Sequence, residues 1–212
     1  TASISVSKRI PVGGGLGGAS TNAAAVLRAL RELFAPHLTE HDLVAIATKL
    51  GSDVAYFCDT AGPVPRHAIV EGLGERIEHT EAVGGAALLV VPPFGCATRD
   101  VYQAFDSAPD AANGFAERAS RVRTLHRAAR TQGLCATPLF NDLADPACTV
   151  APALRTIARE LAAHLDRPAH ITGSGSCLFV PALHAELFAL APKARAASAT
   201  LRACTFVECN II

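Results

Sequence analysis

Five of the six residues from 13 to 18 are glycine, in the stretch Pro11-Val12-Gly13-Gly14-Gly15-Leu16-Gly17-Gly18. The segment Ala19-Ser20-Thr21-Asn22-Ala23-Ala24-Ala25 follows at once and is strongly helical in composition. Glycine lets the backbone approach a ligand closely and adopt φ > 0 without a Cβ penalty. A helix that opens straight after such a loop points unpaired N–H groups and a partial positive charge at whatever lies before it. The combination predicts a phosphate site. The alternative, a flexible linker, does not account for a hydroxyl-bearing helical segment directly behind the glycines.

At 212 residues the chain can bury a sizeable core, and half of its residues are hydrophobic, which excludes a disordered chain. The formal net charge is +0 with no long run of one sign, which argues against nucleic acid or an anionic membrane as the main partner. No run of about 18 apolar residues predicts a membrane span. The opening Thr1-Ala2-Ser3-Ile4-Ser5-Val6-Ser7 lacks the basic start and apolar core of a signal peptide. It also lacks an initiator Met, so the chain reads as cut from something longer. Seven cysteines are scattered without a CxxC pair, which predicts buried, reduced thiols rather than zinc ligands or a disulfide framework.

Ser3 to Ser7 alternates polar and apolar residues and predicts a half-buried strand. A helix is expected from about Ser20 to Phe34, with Val26, Leu30, Leu33 and Phe34 on its apolar face. Thr39 and Asp42 form a capping box for a second helix, with Leu43, Ile46, Ala47 and Leu50 facing inward and Gly51 as its stop. After a loop with Gly62, Pro63 and Pro65, Ala68-Ile69-Val70 and Arg76 to His79 predict a hairpin around Glu71-Gly72-Leu73-Gly74-Glu75. A second domain is expected from Gly85. It begins with the continuous apolar strand Ala86 to Val91, is broken at Pro92-Pro93-Phe94-Gly95, and resumes as a helix capped by Thr98 and running to Phe105. A loop is expected over 107–114, and helices over Phe115 to Arg130 and Ala151 to Leu165. Strands at Pro168 to Thr172 and Cys177 to Val180, a helix from His184 to Leu190 and a strand at Thr205 to Val207 complete a split βαβ plan, an α+β sandwich.

Gly13-x-Gly15-x-x-Gly18 satisfies the dinucleotide fingerprint, yet the preceding strand alternates and a proline intervenes, which a Rossmann loop does not allow. The glycine spacing of a P-loop is also present, but Ala19 stands where that loop needs lysine. The eight histidines form no HxxxH or HExxH pair, and no GxSxG elbow occurs.

A third type of glycine loop remains. Pro11 to Ala24 strongly resembles the signature loop of the GHMP kinases, the superfamily of galactokinase, homoserine kinase and mevalonate kinase. Lys8-Arg9-Ile10-Pro11 and Gly51-Ser52-Asp53-Val54 are most similar to its branch acting on 4-diphosphocytidyl-2-C-methyl-D-erythritol. Pro92-Pro93-Phe94-Gly95 with Thr98, Phe140-Asn141-Asp142-Leu143 and Thr172-Gly173-Ser174-Gly175-Ser176-Cys177 agree with it. The resemblance implies a partial ribosomal-S5-like N-terminal domain over residues 1–84 and a ferredoxin-like C-terminal domain over 85–212. It implies a cytoplasmic small-molecule kinase that moves the γ-phosphate of ATP, with Mg²⁺, to the 2-hydroxyl of that cytidine diphosphate methylerythritol in non-mevalonate isoprenoid biosynthesis. Nucleic acid and membrane are not expected partners, and a homodimer stays open.

Residue by residue, the resemblance implies that Pro11, Val12, Gly13, Gly14, Gly15, Leu16, Gly17, Gly18, Ala19, Ser20, Thr21 and Asn22 hold the ATP phosphates. The Ser20 and Thr21 hydroxyls are placed either for phosphate or Mg²⁺ or for N-capping. Asp53 is the candidate base and a candidate neighbour of Mg²⁺, with helix capping as the alternative. Gly173, Ser174 and Gly175 read alone as a hairpin turn, and the resemblance places them at the substrate site. Asn141-Asp142 reads as a surface turn. The family's catalytic lysine strand and its Gly-Tyr-His motif do not occur before Thr1, Lys8 does not replace that lysine, and Ala19 stands where glycine is frequent. Weak ATP binding and poor turnover are expected of this chain by itself. The rival readings are a GHMP kinase for another small alcohol and a kinase-derived binding protein without catalysis.

Overall fold

The computed structural model describes residues 2–59, 65–108 and 115–211. The chain divides into two compact units. Thr1–Arg9 and Gly17–Ala82 form one, and Ile10–Leu16 with Val83–Ile212 form the other. The polypeptide therefore leaves the first unit before the glycine run, lays residues 10–16 into the second, and re-enters the first at Gly17. The loop expected around Gly62 and Pro63 lies outside the described residues, as does most of the one expected over 107–114.

In the first unit, α1 (Gly18–Phe34), α2 (Glu40–Leu50) and the single turn α3 (Val54–Phe57) precede a hairpin of β1 (Ala68–Glu71) and β2 (Arg76–His79). The Thr39–Asp42 capping box forms as expected. The Thr39 Oγ1 accepts from the Asp42 amide, and the Asp42 carboxylate accepts from the Thr39 amide at 2.9 Å. That second bond and the Thr39 hydroxyl hold the Asp42 carboxyl below its ordinary value. Ala24, Leu43, Ala47, Val54, Ala55 and Cys58 make the core, with Leu27, Phe57 and Ile77 against it. The expected apolar face of α1 is thus corrected, because Leu33 and Phe34 are 71% and 63% exposed. Helix α1 packs through Ala24, and a small side chain lets a neighbouring helix approach closely. On α2, Leu43 and Ala47 are buried, whereas Ile46 and Leu50 are exposed.

The expected strand at Ser3 to Ser7 is not formed. Among the described residues no strand pairs with it, and an alternating segment without a ladder partner has no reason to hold strand geometry. The expected β1–β2 hairpin forms, with Ala68 opposite His79 and Glu71 opposite Arg76. Its turn is shaped by Gly72 (φ 71°) and Gly74 (φ 98°) and is closed by the Leu73 amide donating to the Glu75 carboxylate at 2.6 Å. Gly74 lies so close to Ser52 that a Cβ there would come within 1.8 Å of the Ser52 carbonyl oxygen.

The second unit is built on a four-stranded antiparallel sheet in the order β4-β5-β3-β6. Its strands are β3 (Gly85–Val91), β4 (His170–Ile171), β5 (Leu178–Ala182) and β6 (Thr205–Ile211). The apolar strand β3 sits inside the sheet between β5 and β6, as its continuous hydrophobic run predicts. Between β3 and β4 come α4 (Thr98–Asp106), α5 (Phe115–Gln132), a 3₁₀ turn (Leu134–Ala136), α6 (Ala144–Val150) and α7 (Ala153–Leu165). Between β5 and β6 lie the 3₁₀ turn His184–Glu186, α8 (Leu187–Ala197) and α9 (Ala199–Arg202). Helix α7 buries Leu154, Ile157, Leu161 and Leu165. These join Leu88, Val90, Leu178, Val180 and Leu201 in one core. The α+β plan is the one expected, and the sheet has the strand order of a ferredoxin-like sandwich. Helices α6 and α9 are additions, and β4 is shorter than expected.

Among the described residues no helix is long and apolar enough to cross a membrane. All seven cysteines are free thiols; Cys58, Cys96, Cys177 and Cys204 are buried and Cys135 is exposed. Burial pushes the Cys177 thiol up to about 11, which leaves almost no thiolate near neutral pH. Iodoacetamide at pH 8 is therefore expected to alkylate Cys135 in the folded protein and to reach Cys177 only after denaturation, as read by mass spectrometry of peptides. A second expectation separates conformational strain from collision. Gly133 has φ 81° and ψ 163°, backbone essentially confined to glycine, with open space around its Cα, so Gly133→Ala should cost about 1–3 kcal/mol through strain alone. Gly74→Ala should cost clearly more, because it also meets Ser52. Denaturant unfolding of both variants checks the ranking.

Candidate active site

Three segments of the second unit meet at the glycine run. Gly13 (φ 68°) and Gly15 (φ 66°) adopt left-handed backbone, as does Gly17 (φ 66°), while the residues between them do not. Such alternation turns successive amides toward one side and makes an anion-binding concavity. The carbonyls are held on the other side. The Gly13 carbonyl accepts from the amides of Cys96 (3.0 Å) and Ser176 (2.8 Å). The Gly14 carbonyl accepts from the Cys177 amide (3.2 Å) and from the Thr172 hydroxyl (2.7 Å). Among the described residues, the amides of Gly13, Gly14 and Gly15 donate to no backbone carbonyl. A Cβ on Gly15 would lie 2.0 Å from the Thr172 carbonyl oxygen, so this position admits no side chain.

The second glycine turn, Thr172 to Cys177, is itself closed by Gly175 N to Thr172 O (2.7 Å) and Thr172 N to Cys177 O (3.0 Å). The buried Ser176 hydroxyl donates to the Phe94 carbonyl. The Ser174 hydroxyl lies 3.1 Å from that of Thr98. This corrects the expected capping role of Thr98. The residue is the first of α4, behind Ala97, and no side chain caps that helix. The structure thus brings Gly173, Ser174 and Gly175 against Gly13 to Gly15.

The Asn141 side chain was expected in a surface turn and is instead engaged on both ends. Its amide donates to the carbonyls of Ile171 (2.9 Å) and Gly173 (2.7 Å), and its oxygen accepts from the Leu143 amide (2.9 Å). Asp142 beside it pairs with Arg118 at 3.2 Å.

In the first unit, α1 begins at Gly18 behind Gly17, and no side chain caps it. Ser20 and Thr21 are therefore in the first turn and not at the cap. The Thr21 hydroxyl donates to the Gly17 carbonyl at 2.9 Å, which leaves its oxygen lone pairs available. No acidic residue occupies that turn, so the helix's own first-turn side chains leave the positive end of its dipole uncompensated. Asn22 follows in the same turn and is half-buried, Ala19 is exposed, and Pro11 and Val12 are exposed on the approach to the loop. Gly17 packs on Phe57: a Cβ there would be 3.1 Å from the ring. The start of α1 is thereby set against α3, the turn that opens directly after Asp53. Asp53 occupies the N-cap position of α3, yet its side chain makes no capping bond. Its carboxylate is exposed, with the Ser52 hydroxyl 3.4 Å away. The capping alternative for Asp53 therefore falls.

Mg²⁺ takes oxygen ligands, keeps several waters and is held by one or two side chains plus substrate phosphates. The Ser20 and Thr21 hydroxyls and the Asp53 carboxylate are oxygen donors of that kind. Among the described residues no group of three or more His, Cys, Asp or Glu forms a dedicated metal cage.

Residues 1–60 match the GHMP kinases N terminal domain. The chain is 42% identical over 104 residues to a 4-diphosphocytidyl-2-C-methyl-D-erythritol kinase of Clostridium botulinum (strain Alaska E43 / Type E3), a match covering 49% of this chain and 35% of that protein. The like-named protein of Herminiimonas arsenicoxydans is 29% identical over 180 residues, 85% of this chain and 56% of that one. The chain thus spans about a third to somewhat over half of the length of these relatives. Among solved structures, a 4-(cytidine 5'-diphospho)-2C-methyl-D-erythritol kinase superposes with a TM-score of 0.63 at 30% identity, covering 95% of this chain and 68% of that one. A homoserine kinase from Cytophaga hutchinsonii, at 14% identity and a TM-score of 0.66, shares the fold. With the loop, the sandwich and these similarities in agreement, the chain belongs to the GHMP kinase family.

Proposed function

We propose that the protein carrying this chain transfers the γ-phosphoryl group of ATP to the 2-hydroxyl of 4-diphosphocytidyl-2-C-methyl-D-erythritol. The observation that carries the kinase reading is the polarity of the glycine loop. The Gly13 and Gly14 carbonyls are tied into the protein, and the amides of Gly13 to Gly15 donate to no backbone carbonyl among the described residues. The choice of acceptor rests on the 30% identity to a solved kinase of that name. The homoserine and mevalonate kinases are 14% and 13% identical and share the fold alone, so nothing favours those acceptors.

Phosphoryl transfer requires positioning and charge neutralisation more than covalent participation of the protein. Gly13 to Gly18 hold the phosphate oxygens through backbone amides, and the uncapped start of α1 adds its partial positive charge. Ser20 and Thr21 present hydroxyl oxygens in the first turn of that helix. Asp53 takes the proton of the acceptor hydroxyl as its oxygen bonds to the γ-phosphorus, while the bond from phosphorus to the bridging oxygen of ADP breaks. Bound Mg²⁺, held by Asp53 and Ser20 together with the phosphates, supplies neutralisation of phosphate charge.

A coupled assay of ADP release on the protein carrying this chain, against a panel of 4-diphosphocytidyl-2-C-methyl-D-erythritol, homoserine and mevalonate, tests the acceptor. Turnover of the first alone supports the proposal, and preference for another alcohol overturns it. Asp53→Asn should lower kcat by about 10²- to 10⁴-fold and leave nucleotide affinity within about threefold. A loss confined to KM would remove Asp53 from the role of base. Gly15→Ala should abolish ATP binding in calorimetry, because the loop must move away from Thr172; unchanged binding would overturn the phosphate-loop assignment.

A further inference from the structure

We infer that Asn141 is a positioning residue for the nucleotide loop, acting through the second glycine turn; this rests on the ATP-binding reading above. Its side chain spans both ends of that turn's first half. The two Nδ2 hydrogens go to Ile171, the last residue of β4, and to Gly173, at the turn. The orientation of the amide is fixed by chemistry. A flipped side chain would aim its oxygen at two carbonyls and its NH₂ at the Leu143 amide, losing all three bonds.

Thr172, the residue between the two carbonyls, is the one whose hydroxyl holds Gly14 and whose carbonyl sits under Gly15. Asn141 therefore fixes the peptide unit that enters Thr172 and the one that leaves Gly173, bracketing the residue that sets the nucleotide loop. It is anchored from behind by the Arg121 guanidinium, which covers the Phe140 ring at 4.2 Å; the Arg118–Asp142 pair beside it is partly exposed and contributes little. Helix α5 thus holds the short segment that carries the clamp. The chain of contacts runs α5, Phe140, Asn141, Ile171 to Gly173, Gly14. Asn141 touches the loop only through this relay, so it is not a catalytic residue.

Four proteins test this by calorimetry with ATP: the wild type, Asn141→Asp, Asn141→Ala and, as the neighbouring control, Asp142→Ala. Asn141→Asp keeps the acceptor for Leu143 and loses both donors. Both Asn141 variants should bind ATP roughly tenfold more weakly, while Asp142→Ala stays within about twofold. Amide resonances of Gly13, Gly14 and Gly15 in ¹H–¹⁵N spectra should shift in Asn141→Asp and not in Asp142→Ala, a signature that lowered stability alone does not produce. Equal affinity for wild type and Asn141→Asp overturns the inference, as does an equal loss in Asp142→Ala. Should the Asn141 variants fail to fold, the wild type decides. Adding ATP should move the Asn141 side-chain NH₂ resonances, and unmoved resonances overturn the relay. A wild type that binds no ATP instead removes the nucleotide-site reading itself.

Discussion

Two carbonyl oxygens, those of Gly13 and Gly14, hold the candidate site together. Each accepts two hydrogen bonds, and the four donors come from residues 96, 172, 176 and 177. A run of glycines has the largest conformational entropy to lose of any sequence of its length. Left to itself it would not keep one arrangement of amides. The four bonds select a single arrangement, and in each of them a buried or partly buried polar group is satisfied that would otherwise destabilise the fold. The glycine content and the clamp are thus two halves of one device. Glycine permits the backbone to come within reach of Thr172, and the bonds forbid it from leaving.

This separates what could be read along the chain from what could not. Local rules carried the helix start at Thr39, the β1–β2 hairpin and the central strand β3, because each depends on neighbours a few residues away. The nature of the loop at Gly13 to Gly18 was also legible, since φ > 0 and close approach leave a mark in composition. The face of α1 was not, because the helix packs through Ala24, and hydrophobic bulk at Leu33 and Phe34 outweighs an alanine in any periodic pattern. Nor was the employment of Thr98, whose partner Ser174 is 76 residues on. Thr172 reaches Gly14 across 158 residues, and Asn141 reaches Gly173 across 32. Such long-range pairs leave no trace in local spacing. A Phe-Asn-Asp-Leu stretch with nothing else known about it is a turn, and only the fold shows that the asparagine faces two carbonyls.

The glycine run is shared out between the two units of the chain. Ile10–Leu16 belong to the second unit, and Gly17–Ala82 to the first. Within the first unit, the start of α1 rests on Phe57, and Phe57 belongs to the turn that opens behind Asp53. Gly74 then closes on Ser52 from the hairpin. The helix terminus and the carboxylate proposed as base are therefore fixed by one set of contacts, and the loop amides proposed to hold the phosphates by another.

What the proposed phosphate site offers an anion from the chain's backbone is the set of loop amides and the start of α1. The thiols nearest the loop are held neutral by burial, Cys96 and Cys177 both being pushed upward. No acidic side chain lies in the first turn of α1 to quench the helix terminus. Amide dipoles fixed by hydrogen bonds at their own carbonyls cost nothing to reorganise when an anion arrives, whereas a lysine must surrender rotamer freedom and water. This explains how the loop can do without a lysine at Ala19, where a P-loop has one. A loop that works through its amides depends on the geometry of the backbone alone. On the proposed reading, the residues that determine its strength are those that hold the backbone, Thr172 directly and Asn141 one step behind.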